Sequence, residues 1–131
     1  MSRSSAGDWG LAILRIVVGL VFVMHGGQKL FVYGIDGVAG SLAKTGLPLP
    51  YVSAVLATAA EFGGGLALLL GLHTRWAAVP VAITMLTAML TVHLKRGFFL
   101  PGVEYTLTLL AAAIALMLAG GGALSLDSRR K

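Results

Sequence analysis

Apolar residues along this chain gather into four long runs, at residues 10–30, 51–72, 76–94 and 103–119. Each is near the roughly 20 residues that cross a bilayer core of ~30 Å as a helix. Trp9, Tyr51, Trp76 and Tyr105 stand at the ends of the runs, where interfacial aromatics collect. The breaks between runs are short, which makes neighbouring helices antiparallel. The pattern therefore predicts an all-α polytopic membrane protein: one domain over residues 1–131, built as a four-transmembrane-helix antiparallel bundle. The longer break after the first run predicts a short interfacial helix. Asp36 is its expected cap, Gly46 its stop, and Pro48 and Pro50 block continuation. The first run exceeds the apolar region of a signal peptide and no Ala-x-Ala-like site follows it, so it is read as a span.

Composition agrees with the pattern. Apolar residues make up 57% of the chain and charged residues 11%, against roughly 25% charged in ordinary globular domains. Too little charge is present to cover a water-facing surface, so lipid covers much of it. A cytosolic enzyme and a disordered regulator are both excluded. The chain has no cysteine, which excludes disulfide exchange, thiolate metal sites and iron–sulfur clusters within it. Any redox role must use a quinone, a bound cofactor or a partner.

The net charge of +5 is read as membrane-end lysine and arginine, not as a nucleic-acid surface. On the side of the N-terminus, which four spans share with the C-terminus, stand Arg3, Arg75, Arg129, Arg130 and Lys131. The other side holds Lys29, Lys44, Lys95 and Arg96. The basic tail favours cytoplasmic termini by a narrow margin.

An ionisable side chain at the bilayer centre costs about 2.5–3.5 kcal/mol on insertion scales, so such residues face protein or water and have partners. At 100° per residue, Arg15, Gly19, His25, Gly26 and Lys29 share one sector of the first span, from about −80° to +40° around Arg15. The opposite face is aliphatic. In the second span, Ala54, Ala57, Thr58, Gly64 and Gly65 lie within about 60° of Glu61. Both faces suit close helix contact. Counted from the N-terminal side at 1.5 Å per residue, Arg15 lies roughly 9 Å deep and Glu61 roughly 16 Å. An Arg15–Glu61 pair is the expectation, as a buried lock or a proton relay.

The opposite side gathers His25, Lys29, His93 and Glu104, with Tyr105, Phe98 and Phe99 nearby. A quinone carbonyl accepts hydrogen bonds from His or Lys, and quinone reduction needs proton donors. These four residues are therefore the candidate quinone-binding set. Each also has an ordinary reading: snorkelling for Lys29, a satisfied helix-end residue for each histidine, and a helix N-terminus that favours an acid for Glu104. The two histidines could ligate haem, which is the less favoured use, and no metal is assigned. The threonines at 84, 87 and 91 are expected to bond back to their own helix or a neighbour. Walker, dinucleotide-binding, nucleophile-elbow and zinc-protease motifs are missing from the sequence.

The order of certain short motifs resembles the DoxX family of small four-helix membrane proteins. They are Arg15 with Gly19, then His25-Gly26-Gly27-Gln28-Lys29-Leu30, and the Gly46-Leu47-Pro48 loop. Glu61 followed by glycines comes next, then Gly71-Leu72-His73-Thr74-Arg75, Gly97-Phe98-Phe99, Glu104-Tyr105 and Leu124-Ser125-Leu126-Asp127. The resemblance implies a multi-pass protein of the bacterial or archaeal cytoplasmic membrane. It also implies a link to quinone chemistry, since the related DoxD is a subunit of a thiosulfate:quinone oxidoreductase. Some family members resemble partners in membrane-associated oxidoreductase complexes. The expected role is a membrane subunit of a quinone-linked oxidoreductase or oxidative-stress redox complex, with protein partners. An oligomer is compatible with it. The alternatives are a non-catalytic scaffold or assembly factor, and a small-solute transporter.

Overall fold

The computed structural model describes residues 5–93 and 103–129, except for the side chains of Ser5, Val92, His93, Val103, Ser128 and Arg129. Every regular element among them is helical. Helix α1 (Ser5–Gly27) runs into a π segment (Gln28–Tyr33) and then α2 (Gly34–Ala43). Next come α3 (Pro50–Leu70), α4 (Thr74–Ala88) with a second π segment (Met89–His93), α5 (Val103–Ala119) and the single-turn α6 (Leu126–Arg129).

The helical stretch Ala6–Ala43 contains 38 residues, or about 57 Å at 1.5 Å per residue. That is nearly twice a bilayer core. The backbone leaves helical geometry at Gly34, with φ 75° and ψ 162°, a conformation that only glycine adopts cheaply. Glycine rather than an Asp36 cap thus begins α2. The cap position is Tyr33, with no side-chain capping bond, and the helix ends at Ala43, before Gly46. Pro50 opens α3, where its missing N–H is harmless.

Among the described residues, three helical stretches are long and apolar enough to cross a membrane: Ala6–Ala43, Pro50–Leu70 and Thr74–Thr91. Glu104–Ala119 is a shorter apolar helix. Helix α1 packs on α3, α3 on α4, α4 on α5, and α5 returns to α1, while α2 lies against α3. The shared core contains Val18, Phe22, Leu68, Val81, Met85, Leu109 and Leu116. Many large side chains point outward, among them Ile13, Leu20, Leu56, Ile83 and Leu118. Water would not tolerate this much apolar surface; lipid does.

The small-residue faces are where the sequence placed them. A Cβ at Gly26 would sit 2.5 Å from the Phe62 backbone nitrogen. One at Gly19 would sit 2.9 Å from the Gly65 carbonyl, and one at Gly65 2.7 Å from the Val23 nitrogen. These glycines let the backbones of α1 and α3 touch. Threonines 84, 87 and 91 donate to carbonyls four residues back, at Pro80, Ile83 and Thr87.

Candidate functional site

The α1–α3 contact fixes the depth of each ionisable group. A Cβ on Gly71 would lie 2.8 Å from Arg15 Nη1, and Gly19 meets Gly65 and Leu69. Gly26 meets Phe62, one residue beyond Glu61. Arg15 is therefore level with the turn after α3. Glu61 is ten residues earlier along α3, about 15 Å away at 1.5 Å per residue. No arginine side chain covers that distance, so the expected Arg15–Glu61 pair does not form, as a lock or as a relay. The depth estimate began at Trp9. The first turns of α1 instead project past the end of α3, where Gly122 packs against Asp8 and Leu11.

Arg15 closes the end of the bundle nearest the C-terminus. It is 1% exposed. Its Nη1 donates to the carbonyls of Gly121 (3.0 Å) and Ala123 (3.1 Å), and Nη2 donates to Leu124 O (3.1 Å). Asp127 completes the closure by accepting from the backbone N–H groups of His73 (2.6 Å) and Thr74 (2.8 Å). Its own N–H donates to Gly71 O at 2.8 Å. Burial pushes the Asp127 carboxyl up, but the hydrogen bonds from Thr74 and His73 outweigh it and hold the group below its ordinary value. Asp127 thereby caps the α4 N-terminus from a distant part of the chain.

Glu61 pairs with Lys29. Lys29 Nζ lies 2.7 Å from Glu61 Oε2, with side-chain exposures of 27% and 3%. The π segment that follows Gly27 carries Lys29. Insertion of a π turn changes the angular register of an α-helix and recurs at functional sites. It aims Lys29 at α3, and the long side chain reaches back to the level of Glu61. The other carboxylate oxygen, Glu61 Oε1, and the hydroxyl of Thr58 are buried with no hydrogen-bond partner among the described residues. One turn separates these two groups on the same face of α3.

His25 and Tyr105 form the second half of the cluster. His25 Nδ1 lies 2.9 Å from Val21 O. A carbonyl only accepts, so Nδ1 carries the proton and, in the neutral ring, Nε2 is an acceptor. The Tyr105 hydroxyl, 3.3 Å from Nε2, donates to it. The rings stack at a tilt, with centroids 5.9 Å apart. Tyr105 also lies within electrostatic reach of the Glu61 carboxylate. Four groups from α1, its π segment, α3 and α5 thus meet at one level: a cation, a carboxylate, a phenol and an imidazole.

Of the predicted quinone-site residues, Lys29 and His25 belong to this cluster. Glu104 is half-buried in the first turn of α5, beside Tyr105. The side chain of His93, and Lys95, Arg96, Phe98 and Phe99, lie outside the described residues. Sequence reasoning missed Glu61 as the partner of Lys29 and treated Tyr105 mainly as an interfacial anchor. The depth of Glu61 was counted soundly from the turn after its span; what misled was counting α1 from Trp9. With Arg15 level with Gly71, Lys29 lies about 21 Å deep and its long side chain reaches Glu61 at about 15 Å.

The DoxX family model matches residues 10–94 of the chain. The protein named "Putative oxidoreductase CatD" in Bacillus subtilis (strain 168) is 36% identical over 120 residues, covering 90% of this chain and 84% of that protein. An uncharacterized membrane protein of Mycobacterium tuberculosis, Rv3486, is 37% identical over 129 residues, covering 88% of this chain and 78% of its own length. The inner membrane protein YphA of Escherichia coli (strain K12) is 31% identical over 126 residues, with coverages of 91% and 89%. No solved structure matches. The helical, lipid-facing architecture and these sequence matches agree: the chain is a helical membrane protein and belongs to the DoxX family.

Proposed function

We propose that this protein is the inner-membrane component of a quinone-linked redox system, and that the cluster of His25, Lys29, Glu61 and Tyr105 holds the quinone head group. The carrying observation is the Lys29–Glu61 pair, 2.7 Å apart with Glu61 almost fully buried in a membrane-spanning helix. Ionisable groups at such depth are expensive and mark function by default. The oxidoreductase name of CatD and the inner-membrane name of YphA support the reading.

The chemistry follows from the donor set. A quinone carbonyl accepts a hydrogen bond from the Lys29 ammonium or the Tyr105 hydroxyl. Conversion of a quinone to its hydroquinone takes up two electrons and two protons. A partner oxidoreductase delivers the electrons, because this chain has no cysteine for thiol redox chemistry. His25 Nε2 and the open oxygen of Glu61 are sites where protons can be held on the way to the head group. The basic C-terminal segment supports cytoplasmic termini, to be checked with reporters fused at the C-terminus; a periplasmic signal rejects that orientation.

The test is purification in native lipid particles, with mass spectrometry of the bound small molecules and proteins. Stoichiometric quinone, lost on Lys29→Ala or His25→Ala with folding retained, is the expected result. A constant protein partner with no quinone under any condition overturns the head-group assignment and leaves a scaffold.

A further inference from the structure

We infer that the ligand of this site is a lipid-tailed quinone that enters sideways from the bilayer, its isoprenoid tail lying in a groove on the lipid-facing side of α1. The inference rests on the head-group reading above and adds the route and the class of tail. A groove of about 510 Å³ runs beside the cluster, lined by Val23, Met24, His25, Gly27, Val32 and Phe62, with Gln28 contributing as well. That volume falls within the ~300–1,000 Å³ of small-molecule sites.

Three observations fix the occupant. The groove opens toward lipid: Met24 is 66% exposed and Val32 71%. Apart from His25 and Gln28, its lining is aliphatic, aromatic or glycine, which suits a branched hydrocarbon and offers little to a polar solute. It is also continuous with the polar cluster. His25 lines the groove and accepts the Tyr105 hydroxyl, Gln28 precedes Lys29, and Phe62 follows Glu61. An amphiphile in this position has its head among hydrogen-bonding groups and its tail against apolar ones. A ligand already dissolved in the bilayer reaches the site without crossing water.

Gly27 provides the means to block the groove without disturbing the fold. Its backbone is right-handed helical, φ −63° and ψ −40°, and a Cβ there would lie 3.8 Å from Phe62 Cε1, an ordinary contact. A larger side chain therefore has a permitted backbone and extends into the groove. Gly63, with nothing within 4 Å of a Cβ, is the matched control on α3.

The experiment compares two probes on purified protein in one detergent: a tail-less dimethoxy-methyl-benzoquinone and its decyl-tailed analogue. The wild type is expected to bind the tailed probe at least about tenfold more tightly, since each methylene in an apolar pocket is worth ~10-fold or more in discrimination. Gly27→Leu abolishes that gain and leaves tail-less binding unchanged. Gly63→Leu retains the gain. Met24→Trp, which enlarges an exposed lining residue, repeats the test should Gly27→Leu fail to fold. Equal tail-dependent gains in wild type and both groove variants overturn the inference while the head-group site stands. A tightly held phospholipid that the decyl quinone does not displace overturns it as well. Failure of both probes to bind the wild type removes the head-group reading, and the tail assignment with it.

Discussion

Lys29 and Glu61 should be energetically coupled, and Arg15 and Glu61 should not. The perturbations are Lys29→Met, Glu61→Gln and the double variant, with Arg15→Lys and Arg15→Lys/Glu61→Gln as the control cycle. Lys29→Met leaves a carboxylate that is 3% exposed without its cation. Removing one member of a buried pair costs about 3–5 kcal/mol. The lower end, about 3 kcal/mol, applies here because Lys29 keeps 27% of its side chain exposed. Glu61→Gln removes the buried charge and lets Lys29 snorkel toward the interface, at a cost of about 1–2 kcal/mol for the lost hydrogen bond. The double variant has no stranded charge, so it should be little worse than Glu61→Gln alone. The expected coupling is therefore about 2–3 kcal/mol, at the upper part of the ~0.5–3 kcal/mol range of contacting pairs. Arg15 and Glu61 are about 15 Å apart along α3, so their effects should add within about 0.5 kcal/mol. Equilibrium unfolding in mixed micelles of mild detergent and dodecyl sulfate gives all the values. Additive Lys29 and Glu61 effects, or a coupling above about 1 kcal/mol between Arg15 and Glu61, would refute the reasoning.

Three further outcomes follow from the same geometry. Arg15→Lys keeps the charge but loses the planar fork, and with it about two of three carbonyl contacts. At ~1.5–3 kcal/mol for each hydrogen bond to a charged group, it should destabilise by about 3 kcal/mol or more and expose the segment after Ala119 to limited proteolysis. Gly26→Ala puts a methyl group against the Phe62 backbone and should cost about 1–3 kcal/mol by overpacking. Gly27→Ala should stay within about 0.5 kcal/mol of wild type in the same unfolding assay. Asp127 is held below its ordinary carboxyl value when folded. Its contribution is therefore complete above the unfolded pKa of ~3.9 and is lost as pH falls through the lower folded value. Melting midpoints measured from about pH 6 down to about pH 2 should show a smaller acid loss in Asp127→Asn than in wild type; parallel curves would remove Asp127 from that role.

What was legible in the sequence was angular, and what was not was axial. Periodicity placed Arg15, Gly19 and Gly26 on one face of α1, and Thr58, Glu61, Gly64 and Gly65 on one face of α3. All of these are buried. His25, at the edge of its sector, is exposed. Depth was harder, because hydropathy locates the end of an apolar run but not the register between two helices. In this protein the register is set by glycine contacts between α1 and α3. The first turns of α1 extend beyond the end of α3, so a depth counted from Trp9 put Arg15 too far into the membrane. The π segments were invisible for a related reason: they alter helix register without altering the apolar pattern. The remote cap from Asp127 to His73 and Thr74 joins positions more than fifty residues apart, which no local signal reports.

The short motifs that mark the family separate in space, and their separation bears on what each does. Arg15, the Gly71–Arg75 turn and the Leu124–Asp127 tail converge at one end of the bundle, where the Arg15 fork, Asp127 and the turn's backbone N–H groups tie chain segments together. Their polar atoms are directed at backbone, so this end is a closure. The segment from His25 to Lys29, Glu61 and Tyr105 meets deeper in the bundle, at side chains directed at one another. There one carboxylate oxygen and one hydroxyl are buried without partners among the described residues. Arg15 Nε and Thr74 Oγ1 are likewise buried without a partner at the closure, and each such group left unmade costs about 1–3 kcal/mol. What separates the two ends is where their polar groups are directed: the closure joins side chains to backbone, whereas the second end turns a carboxylate, an ammonium, an imidazole and a phenol toward one another beside a lipid-facing groove.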